Sequence, residues 1–130
     1  MVSTKNMNDK NWGGLQGVFM DKVSYRITVG SPKGRCIGIL SYEQEADLFT
    51  FEYDDNFKGY PFGDINCNEG NFFESRFMFG HFYIEDSWTR QKTVEKYNIA
   101  NPDSNAGQIE LIERLIRSNG SYEGVFYEKL

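Results

Sequence analysis

The chain has 130 residues, is 16% aromatic and 25% charged, and carries a formal net charge of −5. That length fits one domain with a core of its own. The acidic balance argues against direct contact with a nucleic-acid backbone, which calls for clustered Lys and Arg, and permits a basic protein partner.

Residues 1–17 read as a polar N-terminal arm rich in Asn, Lys and Asp, and residues 18–130 as a single α+β domain. Trp12 within the arm is either a packing plug or an exposed anchor. Gly13, Gly14 and Gly17 lack the spacing and the Lys of a phosphate loop. Val18 to Met20 begins the first strand or forms a short one of its own. Val23, Tyr25, Ile27 and Val29 then alternate with Ser24, Arg26 and Thr28, the two-residue period of a half-buried strand. Ser31-Pro32-Lys33-Gly34 turns the chain, with Pro presetting φ and Gly relieving a positive φ. Cys36 to Tyr42 reads as the second strand and Leu48 to Tyr53 as the third, completing an antiparallel meander. Tyr53-Asp54-Asp55-Asn56 is a stop made of turn-forming side chains; the spacing does not match a calcium loop.

Phe57 to Glu69 is irregular, punctuated by Gly59, Pro61 and Gly63. Phe72 to Phe79 reads as a short helix or turn inserted into the core, with a strand as the alternative. His81, the one histidine, reads as a packed core residue, since it has no partner set for a triad or a metal. Ser87 is an N-cap for a helix running to Tyr97, with Val94 and Tyr97 inward and the Lys and Arg side chains outward. Asn98 stops it in a left-handed conformation.

Asp103 or Ser104 caps a second helix whose Ile109, Ile112, Leu115 and Ile116 recur at helical spacing, with Leu111 flanking them. Its wet side is expected to hold Glu110, Glu113, Arg114 and Arg117, with Glu113 and Arg117 as an ion pair one turn apart. Asn119-Gly120 ends it, and Tyr122 to Tyr127 reads as a last strand added to the meander. The fold class is therefore α+β: a β-meander, one or two C-terminal helices packed on one face, and a final short strand.

Cys36 reads as a small core residue and Cys67 as a free thiol in a polar loop; their spacing supports neither a zinc site nor a disulfide scaffold. No secretion signal or long apolar run stands out, so the expectation is a soluble cytoplasmic protein that binds no membrane. No nucleophile elbow, zinc-protease, phosphate-loop, dinucleotide or kinase signature is present, and paired acids such as Asp54/Asp55 or Glu85/Asp86 are commonplace in an acidic chain. The expectation is a non-enzyme without cofactor or metal. Aromatics near loops suit a protein interface: Tyr60 and Phe62 in the irregular stretch, and Trp88 flanked by Asp86 and Arg90.

Several stretches occur in the order of a known family. These are Val23–Gly30, Ile37-Gly38-Ile39-Leu40, and Phe49-Thr50-Phe51-Glu52-Tyr53-Asp54. After them come Phe72-Phe73, Ser75 to Phe79, Trp88-Thr89-Arg90, Lys96-Tyr97-Asn98-Ile99 and the helix up to Arg117. The order resembles the small N-terminal subdomain of HipA-type toxin kinases, which also occurs as a free-standing HipS-like antitoxin. Tyr60-Pro61-Phe62-Gly63-Asp64 and Ile84-Glu85-Asp86-Ser87 stand where the family carries other turn motifs. The resemblance implies a non-catalytic cytoplasmic antitoxin or regulator that docks on a HipA-like Ser/Thr kinase core and restrains it, with Trp88 as the candidate anchor; a core position for Trp88 is the alternative. The competing reading is a small acidic inhibitor of another class, a toxin-immunity or phage anti-defence protein. A structural or oligomerisation domain is a third.

Overall fold

The computed structural model describes residues 22–31, 33–55, 57, 65–118, 121–122 and 124–130. Among these residues six strands form one sheet: β1 (Lys22–Val29), β2 (Arg35–Glu43), β3 (Leu48–Tyr53), β4 (Phe72–Ser75), β5 (Ser121–Tyr122) and β6 (Val125–Lys129). Their order across the sheet is β4-β3-β2-β1-β6-β5, and each neighbouring pair is antiparallel. Two helices, α1 (Trp88–Tyr97) and α2 (Asn105–Ser118), lie between β4 and β5 in the chain. The α+β class and the closing strand are as the sequence implies. The arm with Trp12, the Val18–Met20 strand, the Asn119-Gly120 stop, and Tyr60 and Phe62 lie outside the described residues.

Alternation in the meander places one set of side chains in a row toward the helices. Tyr25 stands opposite Leu40, Leu40 opposite Phe51 and Phe51 opposite Phe73; the first three are fully buried. Phe51 meets Phe82 with ring centroids 5.0 Å apart, and Tyr42 meets Phe49 at 4.6 Å. The core is thus an aromatic slab, which accounts for much of the aromatic content. The register skips Ile37 between the Ile27–Gly38 and Thr28–Cys36 pairs, a bulge that buries Ile37 and breaks the alternation at Thr28. Gly38 sits where any side chain would run into the Glu52 carbonyl and the Phe51 ring.

Helix α2 closes the slab with Ile109, Leu111, Ile112 and Leu115, all buried. Ser104 is its cap: the hydroxyl accepts from the Gly107 amide at 2.9 Å. Val94, Tyr97 and Ile116 pack partly buried against the core.

Six expectations are corrected. Phe72–Ser75 is an edge strand, the alternative of the two readings, and not a helix, because it pairs with β3, and Phe72 stays half exposed while Phe79 and Phe82 enter the core. His81 is exposed in a short 3-10 turn, Gly80–Phe82, because Phe82 takes the inward position there. Glu113 is not on the wet side: it is buried and accepts from the Tyr25 hydroxyl at 2.6 Å and from Lys129 at 3.1 Å. The ion pair along α2 is instead Glu110 with Arg114 at 3.7 Å. Gly30, not Gly34, holds the positive φ of the first turn; Gly34 is needed because a Cβ would strike the Val29 carbonyl. Cys36 is half-buried, whereas Cys67 packs against the core despite its polar neighbours.

Candidate partner-binding surface

The stretch from Ile84 to Asp103 presents the side chains singled out around Trp88, and its anchoring is polar. Ser87, in extended conformation, caps α1 by accepting from the Arg90 amide at 3.2 Å. Asn98 ends the helix in the left-handed region at φ 56°, ψ 51°, as its residue type predicts. Asp86 is exposed at the approach to the helix and accepts from the Gln91 side-chain amide at 3.1 Å.

Arg90 turns inward. Its side chain is 8% exposed; Nη1 donates to the Ile84 carbonyl at 2.9 Å, and Nη2 pairs with Asp103 at 2.8 Å. The expectation that it projects outward as a contact residue is therefore corrected. It is a strut holding the start of α1 to the segment before α2, and a guanidinium is suited to this because its planar fork reaches both acceptors. Tyr83 donates its hydroxyl to the same Asp103 carboxylate. Those bonds from Tyr83 and Arg90 hold the Asp103 carboxyl below the usual carboxylate range, while the bond to Asp103 pushes the Tyr83 phenol up.

Gln108 of α2 completes the cluster from beneath. It is 1% exposed, accepts from the Ile84 amide at 2.8 Å, and donates to the Ile84 carbonyl at 3.1 Å and the Pro102 carbonyl at 2.9 Å. Reasoning from residue pattern passes over Gln108, because a Gln within an amphipathic helix looks like an ordinary wet-face residue. Its position directly before Ile109 on the buried stripe is the one hint.

With its base pinned, α1 displays Trp88 outward, 72% exposed. Lys92 sits one turn on, its Nζ 5.7 Å from the centre of the indole ring. Trp88 is therefore not a core residue. Phe77, 74% exposed just beyond β4, is a second outward aromatic that reading the chain as core-seeking missed. The structure thus brings Trp88, Asp86 and Arg90 to one place, with Arg90 beneath the surface. Among the described residues no group of three or more His, Cys, Asp or Glu side chains is placed to hold a metal ion, and no helix is long and apolar enough to cross a membrane.

No protein-family model matches the chain, and no curated protein matches it. A solved structure does: the N-terminal domain of HipA toxin, with a TM-score of 0.53 and 20% sequence identity, over 83% of this chain and 92% of that one. The fold is similar to that domain, in line with the resemblance read from the order of sequence stretches.

Proposed function

We propose that the protein is a non-catalytic, cytoplasmic protein-binding module of a toxin–antitoxin system, which docks on a HipA-like Ser/Thr kinase core and restrains it. The observation that carries this reading is Trp88: a large aromatic side chain, 72% exposed, on a helix whose base is fixed by buried polar bonds. Exposed tryptophans of this kind supply much of the energy of protein interfaces. The likeness of fold to the N-terminal domain of HipA toxin supports the choice of partner class. Tyr60 and Phe62 remain part of the proposal as further contacts.

The test is co-purification of the full chain with a HipA-like kinase core, with and without Trp88→Ala. The expected outcome is a complex whose affinity falls about thirtyfold in the variant, the scale of a tryptophan hot spot. The thermal melt of the variant alone should be unchanged. A variant that fails to fold would return Trp88 to a structural role. Capture of a different toxin or a defence complex in place of a kinase would replace this reading with that of an inhibitor of another class.

A further inference from the structure

At one border of the sheet, β4 pairs with β3 and has no strand on its other side among the described residues. Across that pair the Tyr53 amide donates to the Asn71 carbonyl at 2.8 Å. Hydrogen-bonded and non-hydrogen-bonded pairs alternate along an antiparallel ladder. Phe51 with Phe73 and Phe49 with Ser75 are therefore the bonded pairs, and Phe72 and Glu74 turn their amides and carbonyls away from β3. The edge thus presents a short row of main-chain donors and acceptors. The side chains of the same two residues stand on the face away from the helices, in rows with Glu52 and Thr50. Phe72 is 53% exposed, with Glu52 across the ladder and Glu74 two residues on. Neither carboxylate makes an ion pair among the described residues. Arg76, the next cation along the chain, lies past the end of β4 and pairs with neither.

We infer that this edge receives an extended basic segment of a partner protein as an added antiparallel strand, with one Arg or Lys opposite Phe72 and another opposite Glu74. Main-chain bonds to Phe72 and Glu74 hold the strand. The first cation lies across the Phe72 ring toward Glu52, and the second meets Glu74. The two cations must be two residues apart, because only alternate residues share a face. A second copy of this chain fits less well. Two β4 strands paired antiparallel about Phe73 would set Glu74 against Phe72 and gather the Glu52 and Glu74 carboxylates of both copies on one face, where like charges repel. The same carboxylates repel the phosphates of a nucleic acid or an anionic membrane. The inference goes beyond the kinase-docking reading, since it concerns β4 rather than α1 and holds for any partner that carries such a segment.

The test titrates the isotope-labelled full chain, followed by amide NMR, with the synthetic peptide acetyl-Thr-Val-Arg-Val-Arg-Val-Thr-amide. The expected outcome is a saturable set of shifts centred on the Phe72 and Glu74 amides, with slowed exchange of both. N-methylation of the two Arg nitrogens, which face β4 in this pairing, should abolish binding, whereas methylation of the Val between them should not. Glu52→Gln/Glu74→Gln should bind the peptide about tenfold more weakly, and a peptide with Glu in place of Arg should not bind. Glu74→Pro removes an outward donor and no bond to β3, so it should weaken binding while the thermal melt stays that of the wild type. Should that variant fail to fold, the methylated peptides ask the same question of the unaltered protein. Shifts centred away from β4, equal binding of the acidic or the Arg-methylated peptide, or no shift up to about 1 mM peptide overturns the inference. Self-association of the chain through β4 overturns it as well. Failure of a kinase core to co-purify bears on the functional reading alone and leaves the peptide titration to decide this one.

Discussion

Gln108 shows how much a single uncharged side chain carries when it is buried beside backbone groups outside the helices and the sheet. It meets three backbone groups on two segments, the Ile84 amide and carbonyl and the Pro102 carbonyl. Replacing it with Leu keeps the bulk but strands the Ile84 amide and one carbonyl. A buried donor or acceptor without a partner costs about 1–3 kcal/mol, so Gln108→Leu should lower stability by about 2–4 kcal/mol. Urea unfolding reads this as a lower midpoint at unchanged slope. A loss below about 0.5 kcal/mol would mean that the Ile84 amide and the Pro102 carbonyl find other partners. Arg90 acts at the same place, and its role is not legible in the sequence. A charged residue in a polar helix looks like a solvent-facing one until its carbonyl and carboxylate acceptors are brought beneath it.

At the scale of the element, α2 is the helix on which the core depends. Its apolar stripe is legible from spacing, and Ile109, Ile112 and Leu115 are buried as that spacing predicts. Ile112 is 0% exposed, so Ile112→Asp places a carboxylate where nothing compensates it. The variant should be unfolded at ambient temperature, seen as loss of the far-ultraviolet helix signal; a wild-type urea midpoint would mean the buried face is misassigned. The wet side of the same helix was less legible. Glu113 leaves it because the Tyr25 hydroxyl and the Lys129 ammonium come from strands far along the chain, and periodicity carries no information about such partners. Gly107, in the first turn of α2, is a similar case: a side chain there would overlap the Asn101 carbonyl, a contact that only the packed loop creates.

At the scale of the whole molecule, the sheet hides phenols that ordinarily ionise. Burial, reinforced by the bond to Glu113, pushes the Tyr25 phenol up; burial also raises Tyr127, with nearby Tyr122 adding to it. Tyr42 is raised by burial and by its bond to Asp47. Below the ordinary tyrosine value of 10.0 both folded and unfolded chains keep these protons, so the stability they contribute is fully present. Above it only the unfolded chain releases them, and stability falls as pH rises. Each fully buried phenol contributes a slope of about 1.4 kcal/mol per pH unit, so Tyr25 and Tyr127 together give about 3. Against a typical total of about 5–15 kcal/mol, the protein should unfold within a few units above that point. The check is a titration from about pH 9 to about pH 12, following circular dichroism and phenolate absorbance together. The two signals are expected to rise in one step for the buried phenols; smooth ionisation with the fold intact would refute the assignment.

What the residues determined alone is local. The alternation of Val23 to Val29 and the run Leu48 to Tyr53 set the strands; Ser87 and Asn98 set the ends of α1, and Asp103-Ser104 the start of α2; the 109–116 spacing set the face of α2. In each case the deciding interactions lie within one turn or one strand period, so they are present in any window of the chain. The tertiary structure decided everything that needs two distant segments at once. It made Phe72–Ser75 an edge strand because β3 offered a pairing edge, and it put β6 beside β1, so that β1 is an interior strand. It drew Arg90 and Glu113 inward and left Trp88 outside. Whether a charge is solvated or an aromatic is buried depends on what the rest of the fold places against it, and that is a property of the assembled sheet and helices rather than of any stretch of sequence.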